Sequence, residues 1–142
     1  PPRTTPSNSS AASDVYKRQL QLGAVKNMAY IDYYGFGVMV VNGKRYSRDL
    51  IITPKRILSD WWRIEGHNLH LEDLKDILNE DFEYLVVGTG YYGLMEISND
   101  VLKEMSNRKV KIIAKPTKEA VKEFNSLVKE GKKVVGAFHL TC

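Results

Sequence analysis

The stretch FEYLVVGTGYYGLMEISNDVLKEMSNRKVKIIAKPTKEAVKEFNSLVKEGKKVVGAFHL, residues 82–140, alternates short apolar runs with amphipathic ones. Three of the runs predict strands: residues 82–88, 109–115 and 134–140. Between them the pattern predicts two helices, capped by Ser98 and Thr117, the second of which ends at Gly131. Such short links require crossover connections, so the three strands are expected to be parallel in a βαβαβ unit.

Parallel strands place their carboxyl ends at one edge of the sheet, and open α/β sheets bind ligands at that edge. Three segments should therefore meet there: the loop of residues 88–93, residues 115–117 and residues 139–142. The polar candidates at this edge for binding a small molecule or anion are Thr89, Thr117, His139 and Thr141.

The loop contains a literal G-x-G-x-x-G at Gly88, Gly90 and Gly93. A dinucleotide-binding loop needs a helix that begins directly after the last glycine and an acidic residue at the end of the second strand. Here the letters LMEI separate Gly93 from Ser98, and the second strand ends at Lys115. The sequence favours a tight structural turn, and we expect no nucleotide cofactor.

The first half of the chain is rich in short β-forming runs. Residues 30–53, YIDYYGFGVMVVNGKRYSRDLIIT, predict an antiparallel meander, with Asn42-Gly43 as a hairpin turn. Residues 57–68, ILSDWWRIEGHN, predict an irregular segment that holds both tryptophans. Residues 71–80 then place leucine and isoleucine on one helical face.

Charge and composition limit the class of protein. The net charge of +4 is concentrated in residues 1–27, which hold four basic residues and one acidic one, so the rest carries +1 and lacks the basic stripe of a nucleic-acid binder. That Pro/Ser/Thr-rich tail is expected to be disordered and need not be native, which leaves residues 28–142 as the domain. No apolar run predicts a membrane span, and the single cysteine, Cys142, favours a reducing, cytoplasmic setting.

Neighbouring aromatic pairs are candidates for a binding surface. Trp61 and Trp62 should point to different sides, one toward the core and the other toward a groove or a partner. Tyr91 and Tyr92 lie in the glycine loop, where they cap strand ends or stack on a ligand.

The histidines and the cysteine are candidates for metal ligands and catalytic groups. His67 and His70 have H-x-x-H spacing, but the remaining ligands of a metal site would lie far off in sequence, so no metal is expected. His139 and Cys142 fall on opposite faces of the last strand, which disfavours a nucleophile pair. The sequence predicts instead that His139 is hydrogen-bonded at the end of the sheet.

Several of these pieces, in this order, resemble the Mth-type domain of unknown function: residues 31–54, the WW pair, EGH ending at His67, VVGTGYYGLM, PTKEAVKEFN and the terminal HLTC. That family includes an adipogenesis-associated Mth-domain protein and a mitochondrial complex I assembly factor. The resemblance implies a single three-layer α/β domain with a mixed sheet and brings no established catalytic residues. His70 departs from the small capping residue usual in such domains.

Together these features favour a non-enzymatic binding or assembly and regulatory module with a protein partner. Its partner surface would include the glycine loop and a tryptophan. The alternative is a small-molecule or anion-binding domain, or an uncharacterised enzyme, with its site at the convergent strand ends. The residues assigned to the ligand or partner surface are Trp61, Trp62, His67, Gly88, Thr89, Gly90, Tyr91, Gly93, Thr117, His139 and Thr141.

Overall fold

The computed structural model describes residues 29–141, so the predicted tail of residues 1–27 and the residue Cys142 lie outside the described part. The domain is built from ten strands, one 3₁₀ helix and two α-helices within that range. In chain order they are β1 (Ile31–Gly35), β2 (Val38–Val41), β3 (Lys44–Tyr46), β4 (Leu50–Ile52), β5 (Ile57–Leu58), β6 (Asn68–Leu69), the 3₁₀ helix (Leu71–Ile77), β7 (Tyr84–Thr89), β8 (Glu96–Ile97), α1 (Asn99–Asn107), β9 (Lys111–Lys115), α2 (Thr117–Lys129) and β10 (Val134–His139).

A mixed five-stranded sheet with the order β5-β4-β10-β7-β9 forms the middle of the domain. As predicted, β7, β9 and β10 are parallel, and Val86 of β7 lies between Gly136 and Ile113 of its neighbours. The predicted meander is confirmed for β1, β2 and β3, which pair antiparallel in a separate sheet. The fourth strand, β4, instead leaves the meander and pairs antiparallel with β10.

The two faces of the central sheet are covered by different elements, which gives three layers. On one face Val86, Val134 and Phe138 pack in a core with residues of the meander and α2. On the other face Leu85, Val87 and Val135 pack with residues of α1, the 3₁₀ helix and β6. Alternate residues of a strand point to opposite faces, so β7 and β10 must bury side chains on both faces, and both strands are apolar except for Thr89 and His139 at their carboxyl ends.

The turn chemistry expected from the sequence is largely confirmed. Asn42 and Gly43 join β2 to β3 with φ angles of 50° and 82°, the left-handed region that a two-residue hairpin turn requires. Gly131, with φ of 80°, directly follows the Glu130 cap of α2, as predicted. Within residues 29–141 no helix has the length and apolar character needed to cross a membrane.

Two helix predictions need correction. The apolar periodicity of residues 71–80 produces a 3₁₀ helix, not an α-helix, and it buries Leu74 and Ile77. Ser98 does occupy the N-cap position of α1, but its hydroxyl forms no capping bond. That hydroxyl contacts the side chains of Asn68 and His70 instead, and so ties α1 to β6.

Gly136 marks the closest packing on the sheet face that α2 covers. A Cβ atom at this position would clash with the ring of Phe138 and would lie 2.8 Å from Phe124. Gly136→Ala is therefore expected to lower the free energy of unfolding by about 1–3 kcal/mol through overpacking. Urea unfolding measures this loss. Gly66→Ala, where the added Cβ would meet nothing within 4 Å, is the control, and an equal loss in both variants would contradict this account.

Candidate functional site

Thr117 connects the three segments that meet at the carboxyl edge of the sheet. Its buried hydroxyl donates to the carbonyl of His139 at 2.6 Å and accepts the N–H of Gly90 at 2.9 Å. Its own backbone N–H donates to the Gly90 carbonyl at 3.0 Å. The prediction that Thr117 caps α2 is therefore wrong: Pro116 occupies the cap position, and the hydroxyl crosslinks strand ends.

The backbone N–H groups of the glycine loop form hydrogen bonds within the protein. The N–H groups of Gly90, Tyr91 and Gly93 donate to Thr117, Thr141 and Gly90 respectively. A dinucleotide loop offers such groups to a pyrophosphate, whereas here they hold the loop to its neighbours. Gly88 is also required for packing, because a Cβ there would lie 2.8 Å from both Phe138 and Thr117.

A second polar cluster, the Asp49 cluster, consists of Asp49, Arg63 and His139. One carboxylate oxygen of Asp49 lies 2.7 Å from Nδ1 of His139 and 2.6 Å from Nη1 of Arg63. Its other oxygen accepts the N–H of Leu140 at 2.8 Å. The cluster joins residues that are distant in sequence, and it holds the end of β10 against the segment that carries the tryptophans.

The contacts determine the ionisation and the tautomer of the Asp49 cluster. Burial opposes the charge of Asp49, but hydrogen bonds from His139, Leu140 and Arg63 outweigh it and hold the pKa of this carboxyl below its usual range. The short contact to Asp49 assigns the proton of His139 to Nδ1. Arg63 Nη2 then donates to the Gly66 carbonyl, at 3.1 Å, in preference to His139.

Two nitrogens of this cluster are buried and have no hydrogen-bond partner within residues 29–141: Nε of Arg63 and Nε2 of His139. The prediction that His139 is hydrogen-bonded holds for Nδ1. Arg63 lines a cleft of about 410 Å³ together with Asp49, Trp62 and Thr141. This cleft borders the cluster at Asp49 and Arg63, whereas His139 does not line it.

One tryptophan packs against the core and the other is exposed, as predicted. Trp61 packs against the core, donates from Nε1 to the Asp73 carbonyl at 2.9 Å, and stacks under the Arg63 guanidinium at 5.0 Å. Trp62 is 76% exposed, and Ile64, two residues further on, is exposed as well. Trp62 and Ile64 form what we call the tryptophan surface.

A second exposed group, the aromatic surface, consists of Phe36, Tyr91 and Tyr92. The rings of Phe36 and Tyr91 lie 5.3 Å apart and those of Tyr91 and Tyr92 5.1 Å apart, both edge to face. Beneath it, Tyr34 donates its hydroxyl to the Leu140 carbonyl, and burial raises its pKa to about 12. The predicted tyrosine pair thus packs on itself and on Phe36, which the sequence did not single out.

The remaining sequence candidates lie apart from one another. His67 is exposed, and its ring is 6.4 Å from that of His139. His70 contacts Glu65 and Ser98, so the H-x-x-H pair does not converge on one point. In the part of the chain that the structure describes, no group of three or more His, Cys, Asp or Glu side chains could hold a metal ion. Thr89 is buried, and its carbonyl accepts the N–H of Met95.

The comparisons with known proteins agree with this architecture. Residues 31–139 match the family model described as protein of unknown function, DUF498/DUF598. The chain belongs to this family. It is 32% identical to the conserved hypothetical protein PH1505 from Pyrococcus horikoshii, over 79% of this chain and 98% of that one, with a TM-score of 0.67.

Two further solved structures share the fold. A protein from Bartonella henselae, described as an outer membrane protein, is 24% identical over 82% of this chain and 98% of that one, with a TM-score of 0.71. A Mth938-like domain from Bordetella pertussis is 20% identical over 81% of this chain and 87% of that one, with a TM-score of 0.60. The Mth-type fold inferred from the sequence motifs is thereby confirmed.

Thr117→Val tests the crosslink at the sheet edge. The change keeps the shape of the side chain but leaves the Gly90 N–H and the His139 carbonyl without their partner. We expect the free energy of unfolding, measured in urea, to fall by about 2–4 kcal/mol, since an unpaired buried polar group costs about 1–3 kcal/mol. Thr117→Ser, which keeps the hydroxyl and loses a methyl group, should lose only about 1 kcal/mol. Equal losses in the two variants would argue against the crosslink.

Asp49→Asn tests the charge of the Asp49 cluster. At pH 7 the variant leaves Arg63 buried without its carboxylate, and we expect it to be about 3 kcal/mol less stable than the wild type. Because the folded pKa of Asp49 is depressed, its stabilisation is present above about pH 4 and is lost as the pH falls through the folded pKa. The stability gap to the wild type should therefore narrow below about pH 4.

The measurement for the Asp49 cluster is urea unfolding of wild type and Asp49→Asn from acid to neutral pH. Glu130→Gln, at an exposed helix end, is the matched control and should follow the wild type throughout. A gap between wild type and Asp49→Asn that stays constant with pH would show that the charge of Asp49 does not stabilise the fold.

Proposed function

We propose that this chain is a non-enzymatic protein-binding module, of the assembly or regulatory kind, whose partner lies across the carboxyl edge of the sheet. The observation that carries the proposal is the exposure of large aromatic side chains there. Trp62 is 76% exposed, Tyr92 65% and Phe36 53%. Clustered exposed aromatic residues are typical of interfaces, and tryptophan and tyrosine supply much of their binding energy.

The end of β10 connects the two surfaces. The carbonyl of Thr141 accepts the N–H of Tyr91 from the aromatic surface, at 2.8 Å. Thr141 also lines the cleft of Trp62, on the side of the tryptophan surface. A partner that covers this end of the sheet would therefore bury both surfaces at once.

The buried polar groups support this function by fixing the segments that present the aromatics. Thr117 holds the glycine loop, and the Asp49 cluster holds the tryptophan segment. A surface that is rigid before binding loses less conformational entropy on association. These polar side chains bond chiefly to the protein's own backbone and to one another, so we assign them the role of positioning the aromatic residues.

The proposed location of the protein is the cytoplasm, because the chain has a single cysteine.

A second candidate function, small-molecule or anion binding, is favoured by one observation. Nε of Arg63 is a buried donor without a partner in residues 29–141, and Arg63 lines the 410 Å³ cleft. Solvent does not reach that nitrogen, so side chains of the cleft would have to shift on binding, and an acceptor such as a carboxylate oxygen would then satisfy it. Saturable stabilisation of the chain by a small carboxylate or phosphate, lost in Arg63→Met, would favour this function over protein binding.

The test of protein binding uses the double variant Trp62→Ser/Tyr92→Ser, with Leu102→Ser as the control at an exposed leucine of α1. Proteins that the wild type enriches from a native extract are ranked by how much less of each the double variant enriches. Each candidate is then purified, and its affinity for all three chains is measured by titration calorimetry.

We expect a partner whose Kd rises at least about thirtyfold in the double variant, because the loss of even one aromatic hot spot costs about 2 kcal/mol or more. Leu102→Ser should bind as the wild type does. If every direct binder tolerates the loss of both aromatics, the partner surface is not at this edge and the proposal fails.

A further inference from the structure

A second and larger cleft lies on the other side of the tryptophan segment. It has a volume of about 730 Å³ and runs between residues 57–64 and the 3₁₀ helix. Its apolar lining includes Ile57, Leu58 and Trp61, all half-buried, above the buried Ile51. Trp62 lines both this cleft and the smaller one. The aliphatic part of a bound side chain would find apolar contacts along this floor.

The rim of this cleft is acidic. Four carboxylates line it, against the two cations Arg63 and Lys75: Asp60, Glu72, Asp73 and Asp76. The charge of Arg63 is already matched by Asp49, which lies outside this cleft. Beyond residue 27 the chain carries a net charge of only +1, since +3 of the total +4 belongs to residues 1–27. The cleft is therefore a local negative surface on a nearly neutral domain.

Within residues 29–141, two of these carboxylates are held only by exposed ion pairs. Asp60 lies 3.6 Å from Arg48, and Glu72 lies 3.2 Å from Lys75, with all four side chains more than 60% exposed. Such pairs contribute about 0–1 kcal/mol, so an incoming cation can replace them at little cost. Asp73 differs, because its two oxygens accept the N–H groups of Ile64 and His70 and shape the cleft.

We propose that this cleft binds an extended polypeptide segment in which arginine or lysine alternates with aliphatic residues. This inference rests on the proposed function and names the partner's chemistry on the tryptophan side. The aliphatic residues contact Ile57, Leu58 and Trp61, and the cations face the acidic rim. The exposed ring of Trp62 provides a cation–π surface for one of them. Charge complementarity and the apolar floor together select this occupant over an acidic or wholly polar segment.

The probe is the peptide acetyl-Leu-Arg-Leu-Arg-Leu-amide, titrated into the ¹⁵N-labelled full chain and followed by the NMR signals of the Trp62 indole N–H and the 3₁₀ helix amides. Two matched peptides separate charge from apolar contact: acetyl-Leu-Glu-Leu-Glu-Leu-amide and acetyl-Ser-Arg-Ser-Arg-Ser-amide. The double variant Asp60→Asn/Asp76→Asn removes two rim charges. Asparagine suits position 60, where φ is 55°, because it tolerates the left-handed region. Glu119→Gln, an exposed acid on α2, is the control.

We expect the Leu-Arg peptide to produce saturable shifts at Trp62 and the 3₁₀ helix, with a Kd that rises about tenfold or more in Asp60→Asn/Asp76→Asn and is unchanged in Glu119→Gln. The Leu-Glu and Ser-Arg peptides should bind at least about tenfold more weakly. Equal affinity for the Leu-Glu peptide, an unchanged Kd in the double variant, or no shift at Trp62 by about 1 mM peptide would each overturn the proposal.

This result is separable from the test of the proposed function. If a native partner depends on Trp62 and Tyr92 but the Leu-Arg peptide does not bind, the proposed protein-binding function stands and the proposed basic segment is rejected. If the Leu-Arg peptide binds but no such native partner is found, the proposed specificity of the cleft stands and the wider partner surface is rejected.

Discussion

The carboxylate of Asp49 is the interaction on which the carboxyl edge of the domain depends. It lies just before β4, and it accepts bonds from Arg63, from the His139 ring and from the backbone of Leu140. The backbone carbonyl of Asp49 also accepts the N–H of Trp61. One residue thus joins the last strand to the segment that displays the exposed tryptophan. A buried cation would be left uncompensated without it, which makes this geometry costly to abandon.

Most of the fold could be predicted from local patterns, because the long strands and the two α-helices are each encoded within a few residues. The two-residue strands β5, β6 and β8 were not predicted, and β5 and the start of β6 lie in the segment expected to be irregular. Continuous apolar runs predicted β7 and β10, and Asn42-Gly43 predicted its hairpin. The Asp49 cluster could not be found in this way, since Arg63 and His139 are 14 and 90 positions from Asp49 in sequence and lie in ordinary contexts. The one sequence signal for the cluster is that polar residues flank buried strands. Polar contacts between residues distant in sequence produce no periodic pattern from which they could be predicted.

The predicted helix caps Ser98 and Thr117 show a related limit of prediction from the sequence. A hydroxyl at the first turn can bond to its own helix or to a neighbouring strand, and the local sequence is the same in both cases. At Thr117 the nearby strand carbonyl provides the better partner, since the helix begins directly beside the parallel strand ends. Glycines 88 and 93 likewise belong to a nucleotide-like motif, yet their lack of a side chain serves close packing against Phe138, Thr117 and Pro116.

The last described residues are bound from both sides. The carbonyl of Leu140 accepts the N–H of Gly37, and that of Thr141 accepts the N–H of Tyr91. The chain therefore reaches Thr141 between the aromatic surface and the tryptophan surface. A purification tag or fluorescent fusion joined close after Thr141 would lie beside both surfaces and would compete with the proposed partner for them. A comparison of partner binding with and without such a fusion therefore tests the proposed surface without altering a residue.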